Sequence, residues 1–501
     1  MKRKHIINTL LIIILILFFA SVILIRPVKS LDELWNYSFA KNIANGLVPY
    51  KDFNMVQTPL FAFICGVFLK ITNELITMRI LAIILNTGII ILMYKILKTL
   101  KVNSYIAYIC LAGIIWLMKD YVTIDYNFFV VLFALIIVLL ELKKDSCRPP
   151  LHGEMQRLLN LNFRVDLFIG ILAGLAIITK QTTGLAIAFV AVGYKVLTIR
   201  NLEQFKTFLK IFAIRMLGVI IPILILLIYL VLNNAMADFV DYTISGISTF
   251  TNKISYTNLF VDGNILYKTL SVGVPIVMIA LFLKGLITKD NNSLLLALYG
   301  AAGFIVVFPI ADDQHFLVSI LITLLGFIYL IKCLLEYVRF IKIKQYTVEA
   351  VTYISIIIAI FVGAMSVYNL SKYVGQIKNE GNQTINHYKY VPISEGLSKD
   401  VINIINYIKN QEQEVYIIDS QAIIYRIPMD TYYKNYDMLL NGNLGSGGAE
   451  KQIADLKNKE NILVLIKPNG YNWQLPMEII NYVKTNMNKI GTIDLFDIYS
   501  K

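Results

Sequence analysis

Two acidic side chains, Asp32 and Glu33, follow closely on the chain's first long apolar run, residues 6–25, and precede a turn, Pro49-Tyr50-Lys51-Asp52. An ionised carboxylate beside a membrane can take a proton from a hydroxyl nucleophile, the work of a general base. The two acids are not equivalent. Ser30-x-x-Glu33 has the form of a capping box, in which the Glu33 side chain satisfies the Ser30 backbone N–H. Asp32 is then the carboxylate left over, and the positive end of the helix favours its ionised form. The pair is the first catalytic candidate, with Asp32 as the base.

The helix that carries them is legible. Trp35, Phe39 and Ile43 recur every four residues and share a face, and Asn45-Gly46 supplies a stop. The pattern predicts an amphipathic helix lying at the membrane surface. Thr58-Pro59 opens a second, shorter apolar helix that reaches about residue 69.

Most of the remaining chain must be lipid-embedded. Of 501 residues, 57% are hydrophobic, and the mean hydropathy is +0.66, whereas soluble domains sit near 45–50% apolar. Eleven apolar spans are expected, at about residues 6–25, 74–94, 103–118, 127–142, 166–179, 184–198, 212–232, 265–283, 294–308, 316–334 and 350–367. The first is too long for a signal peptide and lacks a small-residue cleavage site, so it is read as an uncleaved span. Alternating the spans gathers the Lys/Arg clusters on one side, the positive-inside pattern, with the N-terminus cytoplasmic. The opposite side then carries Asp32, Glu33, Asp52, Asp120, Asp125, Asp238, Asp241, Asp262, Asp312 and Asp313.

Charge excludes one class of partner. The net charge of +13 lies wholly in residues 1–371, with 32 basic against 19 acidic residues, while residues 372–501 carry 14 of each. The basic residues flank apolar spans instead of forming a basic soluble face, so no nucleic-acid partner is expected. Cys65, Cys110, Cys147 and Cys333 imply no disulfide framework, and Cys147 with His152 is too little for a zinc site.

After about residue 370 the pattern changes. Helical periodicity over 397–409, 450–457 and 477–487 alternates with short apolar strands at 415–419 and 462–467, and a last strand is expected within 493–499. This predicts a small α/β domain, residues 371–501, on the extracytoplasmic side. Its loop Gly442-Asn443-Leu444-Gly445-Ser446-Gly447-Gly448 precedes a helix and is read as a helix-capping loop or a ligand contact. The fold class is thus an α-helical polytopic membrane protein with a C-terminal α/β domain.

Several segments, in this order, resemble the GT-C membrane glycosyltransferases, in particular bacterial proteins of the protein-mannosyltransferase and aminoarabinose-transferase type. They are the Asp-Glu pair after the first span, G-x-x-P-Y-x-D-F at 46–53, T-P-L at 58–60, Asp125-Tyr126-Asn127, G-x-L-A-G-L-A-I-I-T-K-Q ending at Gln181, and a short loop with His315. The resemblance covers about residues 6–370. It implies a sugar donor carried on polyprenyl phosphate, inverting transfer to a glycan, glycolipid or protein acceptor, and work at the outer face of the cytoplasmic membrane. It gives Asp32 the role of base. It makes Lys180 and His315 candidates for the donor phosphate, with Lys119 and Lys51 behind them, and Tyr50, Asp52, Asp125 and Gln181 candidates for substrate contact. Relatives of the aminoarabinose type carry an acidic residue and a Lys where this chain has Gln57 and Thr58, which moves phosphate binding out of this loop and argues against a lipid A-type transferase. Asp312-Asp313 offers two carboxylates to a divalent cation, too few to define a site. The alternative reading is a transporter or flippase for a lipid-linked sugar precursor. The spans show few mid-membrane charges and no evident repeat to favour it.

Overall fold

The computed structural model describes residues 2–28, 31–119, 123–145, 155–249, 253–337, 345–379, 384–467 and 475–501. Ser30, Asp120, Cys147 and His152 lie outside the described residues. The helices of the N-terminal part are α1 (Lys2–Leu24), α2 (Leu31–Ala44), α3 (Leu60–Leu69), α4 (Leu75–Thr99), α5 (Ser104–Met118), α6 (Tyr126–Asp145), α7 (Met155–Ile177) and α8 (Gln181–Gly193). They are followed by α9 (Leu202–Leu232), α10 (Met236–Val240), α11 (Asn258–Val261), α12 (Ile265–Thr288), α13 (Asn291–Phe304), α14 (Asp313–Tyr337) and α15 (Gln345–Asn379). Each of the eleven apolar runs coincides with one of these helices. Among the described residues, six of them are long and apolar enough to cross a membrane by length and composition.

Helix α7 meets α9 through glycine. A Cβ on Gly170 would lie 2.2 Å from the Arg215 carbonyl oxygen, and one on Gly218 2.5 Å from that of Leu167. Only hydrogen fits there, so the backbones touch, as small residues allow between membrane helices. The same crossing buries a charge network. The Arg215 guanidinium donates to Asp166 Oδ1 from Nε (2.9 Å) and Nη2 (2.8 Å) and to Glu141 Oε1 from Nη1. Lys144 donates to Asp166 Oδ2 at 2.6 Å, and the Tyr194 hydroxyl to Glu141 Oε2 at 3.1 Å. Four helices are thereby stapled at one end of the bundle.

The C-terminal segment comprises α16 (Glu395–Lys409), β1 (Glu414–Ile418), α17 (Ile423–Arg426), α18 (Gly448–Asn458), β2 (Ile462–Ile466), α19 (Met477–Asn486), β3 (Asn488–Ile493) and β4 (Phe496–Ser500). The sheet order is β1-β2-β4-β3, with β1 and β2 parallel and β4 antiparallel to both its neighbours. The sequence pattern anticipates β1, β2, β4 and the helices α16, α18 and α19, but not the single turn of α17. It misses β3, whose residues are mostly exposed and carry no apolar alternation. Along β1 and β2 alternate side chains enter two different cores. Val415, Ile417, Leu463 and Leu465 join the core of the helical bundle, whereas Tyr416, Ile418, Ile462, Val464 and Ile466 pack under α18 and α19.

One expectation about α2 is corrected. Ten consecutive residues, Glu33 to Asn42, are buried, so the helix is enclosed on all sides and does not lie at a lipid surface. The bundle and α3 cover one side. The C-terminal segment covers the polar remainder: Lys41 Nζ donates to Asp430 Oδ1 and, at 2.7 Å, to the Tyr432 hydroxyl. A polar helix face can be filled by protein as well as by water, and the 31–44 sequence alone does not say which.

Candidate active site

Asp32, the second residue of α2, lies in a depression: it is half-buried by accessible surface, yet ringed by enough protein to desolvate it. Burial pushes its carboxyl up to about 6, with the His315 charge opposing and the Asp125 and Asp312 carboxylates adding to the rise. Residues from α2, the 123–125 segment and the 308–312 loop, distant in sequence, thus share one field. Tyr126 completes the group, within electrostatic reach of Asp32, Asp125 and Asp312.

The neighbouring carboxylates are built into helix ends. Asp125 Oδ1 accepts the Phe128 N–H at 3.0 Å, capping α6, and Asn127 Nδ2 donates to Asp125 Oδ2 at 3.3 Å. Burial raises the Asp125 carboxyl, against the pull of these two bonds and of His315 and Lys180. Asp312 Oδ1 accepts both the backbone N–H of His315 and its ring Nδ1–H, each at 2.8 Å, capping α14. Burial alone would raise Asp312, but the His315 bonds and charge hold it below the ordinary carboxylate range. The Asp312 bond puts the His315 proton on Nδ1 and leaves Nε2 available. The cap of α14 is therefore Asp312, and His315 is the residue it orients.

Lys180 is the N-cap residue of α8. Its Nζ donates to Asn127 Oδ1 at 2.7 Å and stands 5.5 Å from the centre of the Tyr126 ring. Burial lowers the ammonium to about 8, partly offset by Asp125 and Asp312. Beside it, Gln181 Nε2 donates to the Val56 carbonyl at 3.0 Å, while Gln181 Oε1 and Thr183 Oγ1 are buried without a hydrogen-bond partner. The N-terminal ends of α2, α6, α8 and α14 all lie in or beside this group. The ends of α6 and α14 are filled by the Asp125 and Asp312 carboxylates, whereas the first turn of α8 has no side-chain cap and presents its N–H groups and the positive end of its dipole, a setting that favours an anion.

The other sequence candidates are placed elsewhere. Both Glu33 oxygens face Arg79 of α4, with Nε to Oε1 at 2.8 Å and Nη2 to Oε2 at 3.0 Å. Arg79 also donates to the Arg26 carbonyl, 2.5 Å from Nη1, so one buried guanidinium ties the end of α1 to the start of α2. Glu33 is thus a structural anchor through Arg79, a partner that local pattern reading cannot supply. Tyr50 is fully buried; its hydroxyl donates to the Gln57 carbonyl at 2.8 Å. Asp52 Oδ2 accepts the Val48 N–H at 2.6 Å. Both hold the shape of the loop between α2 and α3. Thr58 donates to the Ile177 carbonyl at 2.9 Å, which ties that loop to α7. Lys51 is exposed, and Lys119 Nζ lies over the Trp116 ring at 4.6 Å. Sequence reading passed over Asn127, Tyr126 and Asp312 as site residues. Their signal was adjacency to Asp125 and His315, since an acid three residues ahead of His315 at a helix start is a cap pattern.

The glycine loop at 442–448 is a docking element. Asp241 Oδ1 accepts the Ser446 backbone N–H at 2.9 Å and its hydroxyl at 2.5 Å. Gly445 has φ +72°, and a Cβ there would lie 2.3 Å from Asp241 Oδ2. A carboxylate of the chain itself occupies the place where an anionic ligand would have to sit. For a divalent cation the donor set is also poor: Asp312 is engaged by His315, and among the described residues no group of three or more His, Cys, Asp or Glu side chains comes together.

No protein-family model matches the chain, and no curated protein matches it. Solved structures do. ArnT from Cupriavidus metallidurans in the apo state superimposes with a TM-score of 0.56 at 12% identity, covering 100% of this chain and 98% of that one. The same protein bound to undecaprenyl phosphate gives a TM-score of 0.56 over 99% of this chain and 98% of that one, again at 12% identity. The oligosaccharyltransferase of Archaeoglobus fulgidus, tethered with an acceptor peptide, matches at a TM-score of 0.46 and 12% identity over 91% of this chain and 68% of that one. From its first helix to its last strand, the chain shares the fold of ArnT.

Proposed function

We propose that the protein is an inverting glycosyltransferase that moves a sugar from a polyprenyl-phosphate carrier to a hydroxyl acceptor at the outer face of the cytoplasmic membrane. The observation that carries this reading is the grouping of Asp32 with Asp125, the Asp312–His315 pair and Lys180 where four helix N-termini meet. A base on one side and an anion-favouring set on the other are the two parts such a transfer requires. The fold is shared with an ArnT whose structure holds undecaprenyl phosphate, which supports a lipid phosphate as carrier.

In the proposed reaction Asp32 takes the proton of the acceptor hydroxyl. The oxygen attacks the anomeric carbon from the face opposite the phosphate. The bond from that carbon to the phosphate oxygen breaks, its electron pair stays on the phosphate, and a single displacement inverts the centre. Negative charge grows on the leaving phosphate, where Lys180, the first turn of α8 and His315 are placed to receive it. A carboxyl near 6 suits a base at neutral pH: it is mostly ionised, yet more basic than an ordinary aspartate.

Asp32→Asn keeps the shape and removes the base. The purified variant should fold as the parent does and lose transfer of label from polyprenyl-phosphate sugars to a membrane extract. Transfer at the parental rate would remove Asp32 from the mechanism.

A further inference from the structure

A cleft separates α2 from the C-terminal segment. One wall is Trp35, Phe39 and Asn42 of α2 together with Phe53, and the other is Tyr433 and Asp437. Its free space is ≈ 270 Å³ including the open mouth, and its enclosed inner part has room for about one water-sized group. The aromatic walls are packed against their neighbours. Phe39 and Phe53 stack at 6.0 Å, and the Arg426 guanidinium sits 4.2 Å from the centre of the Tyr433 ring.

The cleft residues hold polar atoms that the protein leaves unmatched. Trp35 Nε1, Asn42 Oδ1 and Asp437 Oδ1 are buried without a hydrogen-bond partner. Asp437 Oδ1 has only the Arg426 Nε at 3.7 Å, and its other oxygen accepts the Tyr433 N–H at 2.8 Å. A buried atom without a hydrogen bond costs about 1–3 kcal/mol, less for Asp437 Oδ1, which keeps its ion pair with Arg426. The three atoms comprise one donor and two acceptors. A hydroxyl both accepts from an indole N–H and donates to a carboxylate or amide oxygen.

Position links the cleft to the reaction. Asp32 and Trp35 are three residues apart on α2, and Phe39 and Asn42 continue the same side of the helix. The cleft therefore begins about 5 Å along the axis from the base.

We infer that this cleft is the acceptor subsite and that the acceptor is a saccharide, an inference that rests on the glycosyltransferase reading above. One hydroxyl or hydroxymethyl enters the narrow inner part, between Trp35 Nε1, Asn42 and Asp437. The sugar ring lies in the wider mouth, with its C–H faces against Phe39, Phe53 and Tyr433. A neighbouring hydroxyl of the same glycan reaches Asp32. An extended peptide would instead need a line of unpaired backbone groups, whereas the unmatched atoms here are side-chain atoms of three residues.

Trp35 is one of three tryptophans, so the test needs no turnover. The full chain carrying Trp116→Phe and Trp473→Phe, in detergent, keeps Trp35 as its sole emitter. It is titrated with methyl glycosides and disaccharides of glucose, mannose and galactose, and with a Ser/Thr-containing peptide. The expected result is a saturable change in Trp35 emission with at least one saccharide, weakened at least tenfold by Asp437→Asn and by Asn42→Ala. The second variant keeps the test decisive if the loss of charge beside Arg426 harms folding. No saturable response to any saccharide, a response that both variants leave unchanged, or a response to the peptide alone would overturn the inference. Intact saccharide binding with no sugar transfer from any lipid-phosphate donor would instead overturn the glycosyltransferase reading, so the two failures are distinguishable.

Discussion

The strongest consequence of the site's electrostatics is a narrow pH window with a named group on each side. Asp32 is pushed up to about 6 because burial disfavours its charge and Asp125 and Asp312 repel it. Lys180 is lowered to about 8, again by burial. In the proposed reaction Asp32 is protonated below pH 6 and cannot accept the acceptor's proton. Above pH 8 the ammonium is neutral and cannot hold the leaving phosphate. Transfer measured as kcat/KM should therefore rise on an acid limb near 6 and fall on an alkaline limb near 8, dropping about tenfold from its plateau at pH 5 and again at pH 9. Lys180→Arg is the discriminating variant, since arginine stays charged across this range. Its alkaline limb should vanish while its acid limb stays. Asp125→Asn should move the acid limb down, because it removes one of the charges that raise Asp32. The assay is initial-rate transfer from whichever labelled polyprenyl-phosphate sugar supports turnover, between pH 4.5 and 9.5. An alkaline limb unmoved in Lys180→Arg, or an acid limb near 4 in the parent, would refute the assignment.

Other perturbations separate anchoring residues from reacting ones. Arg79→Met strands the Glu33 carboxylate and should cost about 3–5 kcal/mol of stability, read as a lower unfolding midpoint in detergent; adding Glu33→Gln should recover part of that loss in a double-mutant cycle. Gly170→Leu puts a side chain where a Cβ already lies 2.2 Å from the Arg215 carbonyl, so α7 and α9 must separate and monodisperse protein should be lost on size exclusion. Lys41→Met removes the bonds from α2 to Asp430 and Tyr432 and should speed amide hydrogen exchange across residues 31–44, leaving exchange in α7 and α9 unchanged.

Asp430 also shows how the C-terminal segment is coupled to α2 and to the turn before α4. Its second oxygen lies 3.0 Å from His387 Nε2, and His387 Nδ1 lies 2.6 Å from the Asn73 carbonyl. With Asp241 on Ser446 and Asn54 Nδ2 on the Asn443 carbonyl at 2.7 Å, the C-terminal segment grips both the 233–264 loop and the loop following α2. A truncation after α15 would therefore uncover α2, and with it the cleft beside Asp32.

What the sequence by itself determined is whatever depends on near neighbours along the chain. Runs of apolar residues dictate the long helices they fall on, because a membrane admits no unpaired backbone. Alternation in 415–419 and 462–467 dictates the two central strands. Asp32 at a helix start, Lys180 at the α7–α8 turn and His315 before α14 are all readable as local patterns. Tertiary structure alone decided which of these meet. It gave Glu33 to Arg79, 46 residues away; it turned Tyr50 and Asp52 inward to hold their own loop; and it closed the glycine loop with Asp241. It also raised the Asp32 carboxyl, since desolvation and the neighbouring Asp125 and Asp312 charges exist only once α2, α6 and α14 bring their N-termini together. A pKa is a property of surroundings, and in this protein those surroundings come from segments that are hundreds of residues apart.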